Sequence, residues 1–144
     1  MISTKWFQGV NNIAHVLEVR KKVFIDELNQ EKFLMHDIYD EFAFNVVIYE
    51  DEIPVGCGRL LFKEGKYFID NVCVLKEHRG RHYGDLIVRM LVRRAVNMGG
   101  ENTYSLVDSN CKHLFVKIGF IVTGEYEDGK SLMMKAGDVG GGCI

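Results

Sequence analysis

Apolar positions in this chain recur with two periods, and the switches between them predict the elements. Residues 2–8 alternate as a first strand, and Asn11 or Asn12 can cap a helix running to about Leu28. That helix would turn Ile13, Val16, Leu17, Val23, Phe24 and Leu28 inward, with Arg20 on the same stripe. Residues 30–42 mix acids and aromatics without a period, which predicts a loop with one helical turn. Residues 43–50, 53–62 and 66–75 read as three strands joined by turns at Asp51-Glu52 and Lys63-Glu64-Gly65, an antiparallel meander. Helical spacing returns at Tyr83 through Leu86, Ile87, Met90, Leu91, Ala95 and Met98, and Gly99-Gly100 ends it. On its polar face Asp85 stands four residues before Arg89, a favourable ion-pair spacing. Thr103–Val107 predicts another strand, and residues 109–118 a short amphipathic helix closed by Gly119. Ile121–Tyr126 and Ser131–Lys135 predict a closing hairpin around Asp128-Gly129.

The fourth and fifth strands are joined by a helix, so they should be parallel neighbours. The fold class is therefore α/β (α+β): one domain with a mixed sheet of six or seven strands flanked by about four helices. The domain is expected over residues 1–136, with a flexible tail at 137–144 that ends Gly-Gly-Gly-Cys-Ile.

A length of 144 residues allows one substantial core, and 47% hydrophobic with 26% charged residues argues against disorder. A net charge of −2 gives no global reason to expect nucleic acid, so Arg89, Arg93 and Arg94 are not read as a DNA-facing stripe. No segment reaches the roughly 20 apolar residues of a membrane span. Residues 1–10 lack the order of a secretory signal, and the four cysteines are scattered with no Cys-x-x-Cys pair. A cytoplasmic protein with reduced thiols is expected.

The most specific stretch runs from Asp70 to Gly84, where a β-branched run stops at a charged turn and a helix begins. A strand feeding a glycine-containing basic turn and a helix N-terminus suits phosphate, because the first helical N–H groups lack internal partners. His78 and His82 have no third ligand, so no metal is expected. Arg20 on its apolar stripe either reaches a carboxylate or anchors an acidic substrate group.

The order of elements, with Val-x-x-x-x-Arg-Gly-x-x-x-Gly at Val74–Gly84, resembles the GCN5-related N-acetyltransferases (GNAT superfamily). Arg79 and Gly84 match that family's Arg/Gln-x-x-Gly-x-Gly/Ala signature, but His82 stands where glycine is usual. Phe115-Val-Lys-Ile-Gly-Phe120 is similar to the family's Tyr-x-x-x-Gly-Phe. Val19–Glu27 and Pro54–Arg59 look like its small bacterial branch. The resemblance implies acetyl-CoA as cosubstrate, its pantetheine arm on the backbone of Val72, Cys73 and Val74 as an added strand. Its pyrophosphate would lie on the N–H groups of Arg79, Gly80, Arg81, His82, Tyr83 and Gly84, with Asn110 meeting the pantetheine. A primary amine of a small molecule or peptide would then attack the thioester directly, and the Val74 N–H would stabilise the oxyanion. His82 is expected to take ordinary helical angles and so leave the turn usable.

The proton chemistry is less complete. At pH 7 only about one part in two thousand of a lysine-like amine is free base. Asp70 and Glu27 are the candidate bases, with Asp108 third. The family's acidic tyrosine falls on Phe115, which has no proton to give. Tyr104, Tyr67, Cys111 or water would have to substitute, whereas Cys73 reads as a buried strand residue and not as a nucleophile. A homodimer is compatible with the sequence. The alternative reading is a non-catalytic acyl-CoA-binding or regulatory module, or a protein that keeps only the fold.

Overall fold

The computed structural model describes residues 1–30, 36–126 and 128–139. Seven strands form one mixed sheet in the order β1-β2-β3-β4-β5-β7-β6. They are β1 (Ile2–Gln8), β2 (Phe44–Glu50), β3 (Ile53–Lys63), β4 (Lys66–Val74), β5 (Asn102–Asp108), β6 (Ile121–Glu125) and β7 (Lys130–Ala136). Strands β2 to β4 form the predicted antiparallel meander, and β1 adds to it antiparallel along β2. Strand β5 lies parallel to β4, and β7 inserts antiparallel between β5 and β6.

Among the described residues there are three helices, fewer than the four expected: α1 (Ala14–Arg20), α2 (Tyr83–Asn97) and α3 (Lys112–Ile118). Helix α1 starts at Ile13 without a side-chain cap, and Asn12 sits instead at φ 58. The helix then continues as a wider π-helical stretch, Lys21–Glu27. Extra residues per turn rotate the positions that follow, so Leu28, expected inside, is 47% exposed.

Helix α1 packs on β2, β3 and β4, while α2 lies on the opposite face of β2 through β5. The α2 seam is Ile87, Val88, Leu91, Val92 and Ala95, so it is rotated toward two valines that the spacing left out. Gly56 and Gly58 make this contact close: a Cβ on Gly58 would stand 2.6 Å from Ile87 Cγ2. The paired Asp85 and Arg89 meet at 2.7 Å as their spacing predicts. Arg94 is held between the rings of Trp6 and Phe44, and Arg93 reaches Asp138, so the three arginines do not form a stripe.

Strand β5 is buried at alternate positions, Thr103, Ser105 and Val107. Phe115 and Ile118 of α3, with Phe120, are buried in the core. Gly119 closes α3 at φ 117, a conformation that favours glycine. After β7 the Gly137 N–H donates to Glu101 O at 2.9 Å, and Val139 packs against the core. Residues 140–144 lie outside the described residues.

Candidate functional site

Strands β4 and β5 pair only at Tyr67–Thr103, Phe68–Tyr104 and Ile69–Ser105. Beyond Ile69 the two strands part. At the parting point the Ser105 hydroxyl donates to Ile69 O at 2.7 Å and satisfies the carbonyl there. The next residues of β4 carry a bulge: Cys57 faces Cys73 but Arg59 faces Asp70, so β4 holds one extra residue. Asn71 takes it up at φ 50. Asparagine tolerates the left-handed region better than its β-branched neighbours would.

Past the bulge, the Leu75 N–H donates to Val55 O at 2.8 Å. In the alternation of an antiparallel ladder, Val74 must then turn its N–H and C=O away from β3 and into the gap. Its carbonyl accepts from Arg79 Nε at 3.0 Å. Its N–H points to the side where β4 has no ladder partner.

The turn after β4 leads to α2 through His82, whose φ of 64 and ψ of 20 place it in the left-handed region. This corrects the expectation of ordinary helical angles. The position needs the conformation glycine adopts freely, and histidine occupies it under strain. The first main-chain acceptance within α2 is Leu86 N–H to His82 O, so the amides of Tyr83, Gly84 and Asp85 precede the helical ladder. They open beside a hollow of about 680 Å³ lined by Arg81, His82, Tyr83, Asp85, Leu86, Arg89 and Lys117. The sequence reading placed neither Arg89 nor Lys117 at this site, because they come from different helices. Only tertiary packing brings them together.

Arg79 does not face that hollow. Its guanidinium forms a two-point pair with Glu27 at 2.6 and 2.7 Å. Its side chain clamps the end of the π-helical stretch to β4, leaving only its backbone for the turn. Glu27 is consequently a poor base: the hydrogen bonds from Arg79 hold its carboxyl below the ordinary value. Arg81 does line the hollow, and its Nη1 donates to Glu50 Oε2 at 2.7 Å. The Tyr83 hydroxyl and then Arg81 lower the Glu50 carboxyl to about 2.

Asp70 is also engaged. It accepts two hydrogen bonds of 2.7 Å from Arg59, which binds Asp37 as well. Arg59 further reaches Asp40, and Asp40 accepts a two-point pair from Arg20 at 3.0 and 3.1 Å. Arg20 therefore reaches a buried carboxylate and also donates to Asn45 Oδ1 at 2.9 Å. Burial opposes the charge on Asp40, but the Arg20 hydrogen bonds and the Asp37 N–H outweigh it and leave the carboxyl below its ordinary value. The same opposition at Arg59 resolves in favour of its partners Asp70 and Asp37, which raise its pKa.

Glu27 and Asp70 thus end on separate arginines. Asp108 is exposed at the end of β5. Asn110 is exposed in a short 3-10 turn, Ser109–Cys111, before α3. Phe115 is buried edge-on against Phe120 at 5.1 Å. The Tyr67 hydroxyl donates to Met98 O at 3.4 Å, at the far end of α2 from the turn. Cys73 lies 3.7 Å from Cys57, sulfur to sulfur, and that contact with its burial raises the thiol well above its ordinary value. A protonated, buried sulfur is a packing group and not a nucleophile.

Residues 13–120 match the family model described as "Acetyltransferase (GNAT) family". The chain is 30% identical over 109 residues to the N-acetyltransferase YjcF of Bacillus subtilis, itself uncharacterized, covering 76% of this chain and 78% of that one. The fold is similar to that of Escherichia coli ElaA, with a TM-score of 0.82 at 20% identity over 94% of this chain and 99% of that one. It is also similar to a PaiA N-acetyltransferase from Thermoplasma acidophilum in complex with coenzyme A, with a TM-score of 0.74 at 14% identity over 94% and 99% of the two chains. The parted strands, the bulge and the open helix terminus are thus features of a chain that belongs to the GNAT acetyltransferase family.

Proposed function

We propose that this protein transfers an acetyl group from acetyl-CoA to a primary amine of a small molecule or peptide within a ternary complex. The observation that carries the reading is the parting of β4 from β5, which leaves the Val74 N–H open toward a gap beside the α2 N-terminus. The pantetheine arm would add to the edge of Val72, Cys73 and Val74. The pyrophosphate would take the turn amides from Gly80 to Gly84, and Arg89 and Lys117 would face the phosphorylated adenosine end across the hollow. The similar Thermoplasma protein in complex with coenzyme A supports this choice of cosubstrate.

In the reaction the amine lone pair attacks the thioester carbon, and the Val74 N–H stabilises the oxygen that becomes anionic. The C–N bond forms, the C–S bond breaks, and coenzyme A leaves with the electron pair. The nitrogen loses its surplus proton to solvent at the rim formed by Asp37 and Asp70. Phe115 supplies no proton, so the thiolate of a thiol with pKa near 8.5 takes one from water. Acetyl-CoA, an amine panel and a free-thiol readout test the reading: amine-dependent thiol release supports it. A second reading, an acyl-CoA-binding module without turnover, draws on Phe115 and the strained His82. Coenzyme A binding without thiol release from any amine would favour it.

A further inference from the structure

Among the described residues, the face of the sheet on the α1 side is only partly covered. Helix α1 ends its packing at β4, and on β5 the residues that alternate with the buried set are half-buried Tyr104 and half-exposed Leu106. Phe68 of β4 stands opposite Tyr104, with ring centroids 5.7 Å apart. This apolar floor begins beside Asp70, where the strands part.

Its two ends differ in charge. At the gap, Asp37, Asp40 and Asp70 share Arg20 and Arg59, three carboxylates to two guanidiniums among the described residues, and the solvent-facing members are Asp37 and Asp70. At the other end Lys63 and Lys66 are direct cross-strand partners. Like charges placed opposite each other disfavour the pairing, and neither lysine has a carboxylate partner among the described residues. Their ammonium groups lie instead over aromatic rings. Lys63 Nζ is 5.2 Å from the Tyr39 centroid and 5.1 Å from that of Phe68, and Lys66 Nζ is 5.4 Å from that of Tyr104. These contacts bring both ammonium groups near Phe68 and Tyr104, a cross-strand pair that stands two residues along β4 from Asp70, or about 7 Å.

We propose that the acceptor is an amine that also carries a carboxylate, the two separated by an apolar spacer of about 7 Å. Its amine lies at Asp37 and Asp70, its spacer crosses Phe68 and Tyr104, and its carboxylate is taken by Lys63 and Lys66. The inference rests on the acetyl-transfer reading and names the substrate class of that same site. A cationic tail would meet two ammonium groups, and a neutral one would leave them unpaired.

The test compares kcat/KM for acetyl transfer to 6-aminohexanoate, hexylamine and 1,6-diaminohexane. The expected order places 6-aminohexanoate at least about 10-fold above hexylamine, as for a charge-assisted hydrogen bond, with the diamine last. The Lys63→Glu, Lys66→Glu double variant should reverse the ratio of aminohexanoate to diamine, a readout that a general loss of activity would not move. Equal rates for the three amines, or an unchanged ratio in the double variant, overturn the inference while leaving acetyl transfer standing. No thiol release with any amine overturns both.

Discussion

Replacing His82 by glycine probes the turn that leads into α2. An L-residue in the left-handed region carries a cost of about 1–2 kcal/mol, which glycine does not. Glycine in turn gives the unfolded chain more freedom, worth roughly 0.4–1 kcal/mol in the opposite direction. With φ at 64, His82→Gly should therefore stabilise the fold by roughly 0.5–1 kcal/mol. For a chain of this size that is a rise in melting temperature of roughly 2–4 °C. His82→Ala is the control, since it removes the imidazole but keeps the strained backbone. Thermal unfolding should rank glycine first, with alanine at or below the native histidine, which tolerates this region better than most residues. Coenzyme A titrations of the same proteins should show that glycine binds at least as tightly as histidine. If alanine melted as high as glycine, the strain at this position would not exist and the reasoning would be refuted.

Further outcomes follow from other groups. Val74→Pro removes the N–H that faces the gap and no hydrogen bond of the β3 ladder, so the protein should fold while kcat for acetyl transfer drops about 10²–10³-fold; a loss under threefold would remove this amide from the mechanism. Asp40→Asn removes the buried carboxylate that Arg20 and Arg59 share and should cost about 3–5 kcal/mol in urea unfolding, and a cost below about 1 kcal/mol would contradict the account of the network. The Glu50 carboxyl, lowered from 4.5 to about 2, contributes stability that is present above about pH 4.5 and lost as pH falls toward 2. Glu50→Gln should therefore melt below the native protein at pH 7 and converge with it in acid, and a gap that did not narrow would count against the pairing.

The meander, the parallel β4–β5 pair and the final hairpin were legible because each rests on a local period or a turn residue. Asp128 shows this: its carboxylate accepts from the Lys130 N–H at 3.1 Å inside the predicted turn. Helix α1 was read less well, because its π-helical stretch changes the period in mid-helix and a 3.6-residue stripe cannot register that. The bulge did leave a trace, since Asn71 interrupts a β-branched strand where asparagine is disfavoured. The partners of Asp70, Glu27 and Arg79 left none. Those ion pairs join segments 11 and 52 residues apart, and nothing in the local sequence says which arginine a carboxylate will meet. His82 was recognised as an odd residue in its motif, but its backbone angle depends on how the turn meets α2.

On the proposed function, the gap between β4 and β5, with the α2 terminus beside it, holds coenzyme A. Isothermal titration of the native protein with coenzyme A tests it most directly. The account predicts one saturable site per chain, with binding weakened when Arg89→Ala and Lys117→Ala remove the cations around the hollow. Absence of binding heat, together with no rise in melting temperature at high coenzyme A concentration, would contradict it.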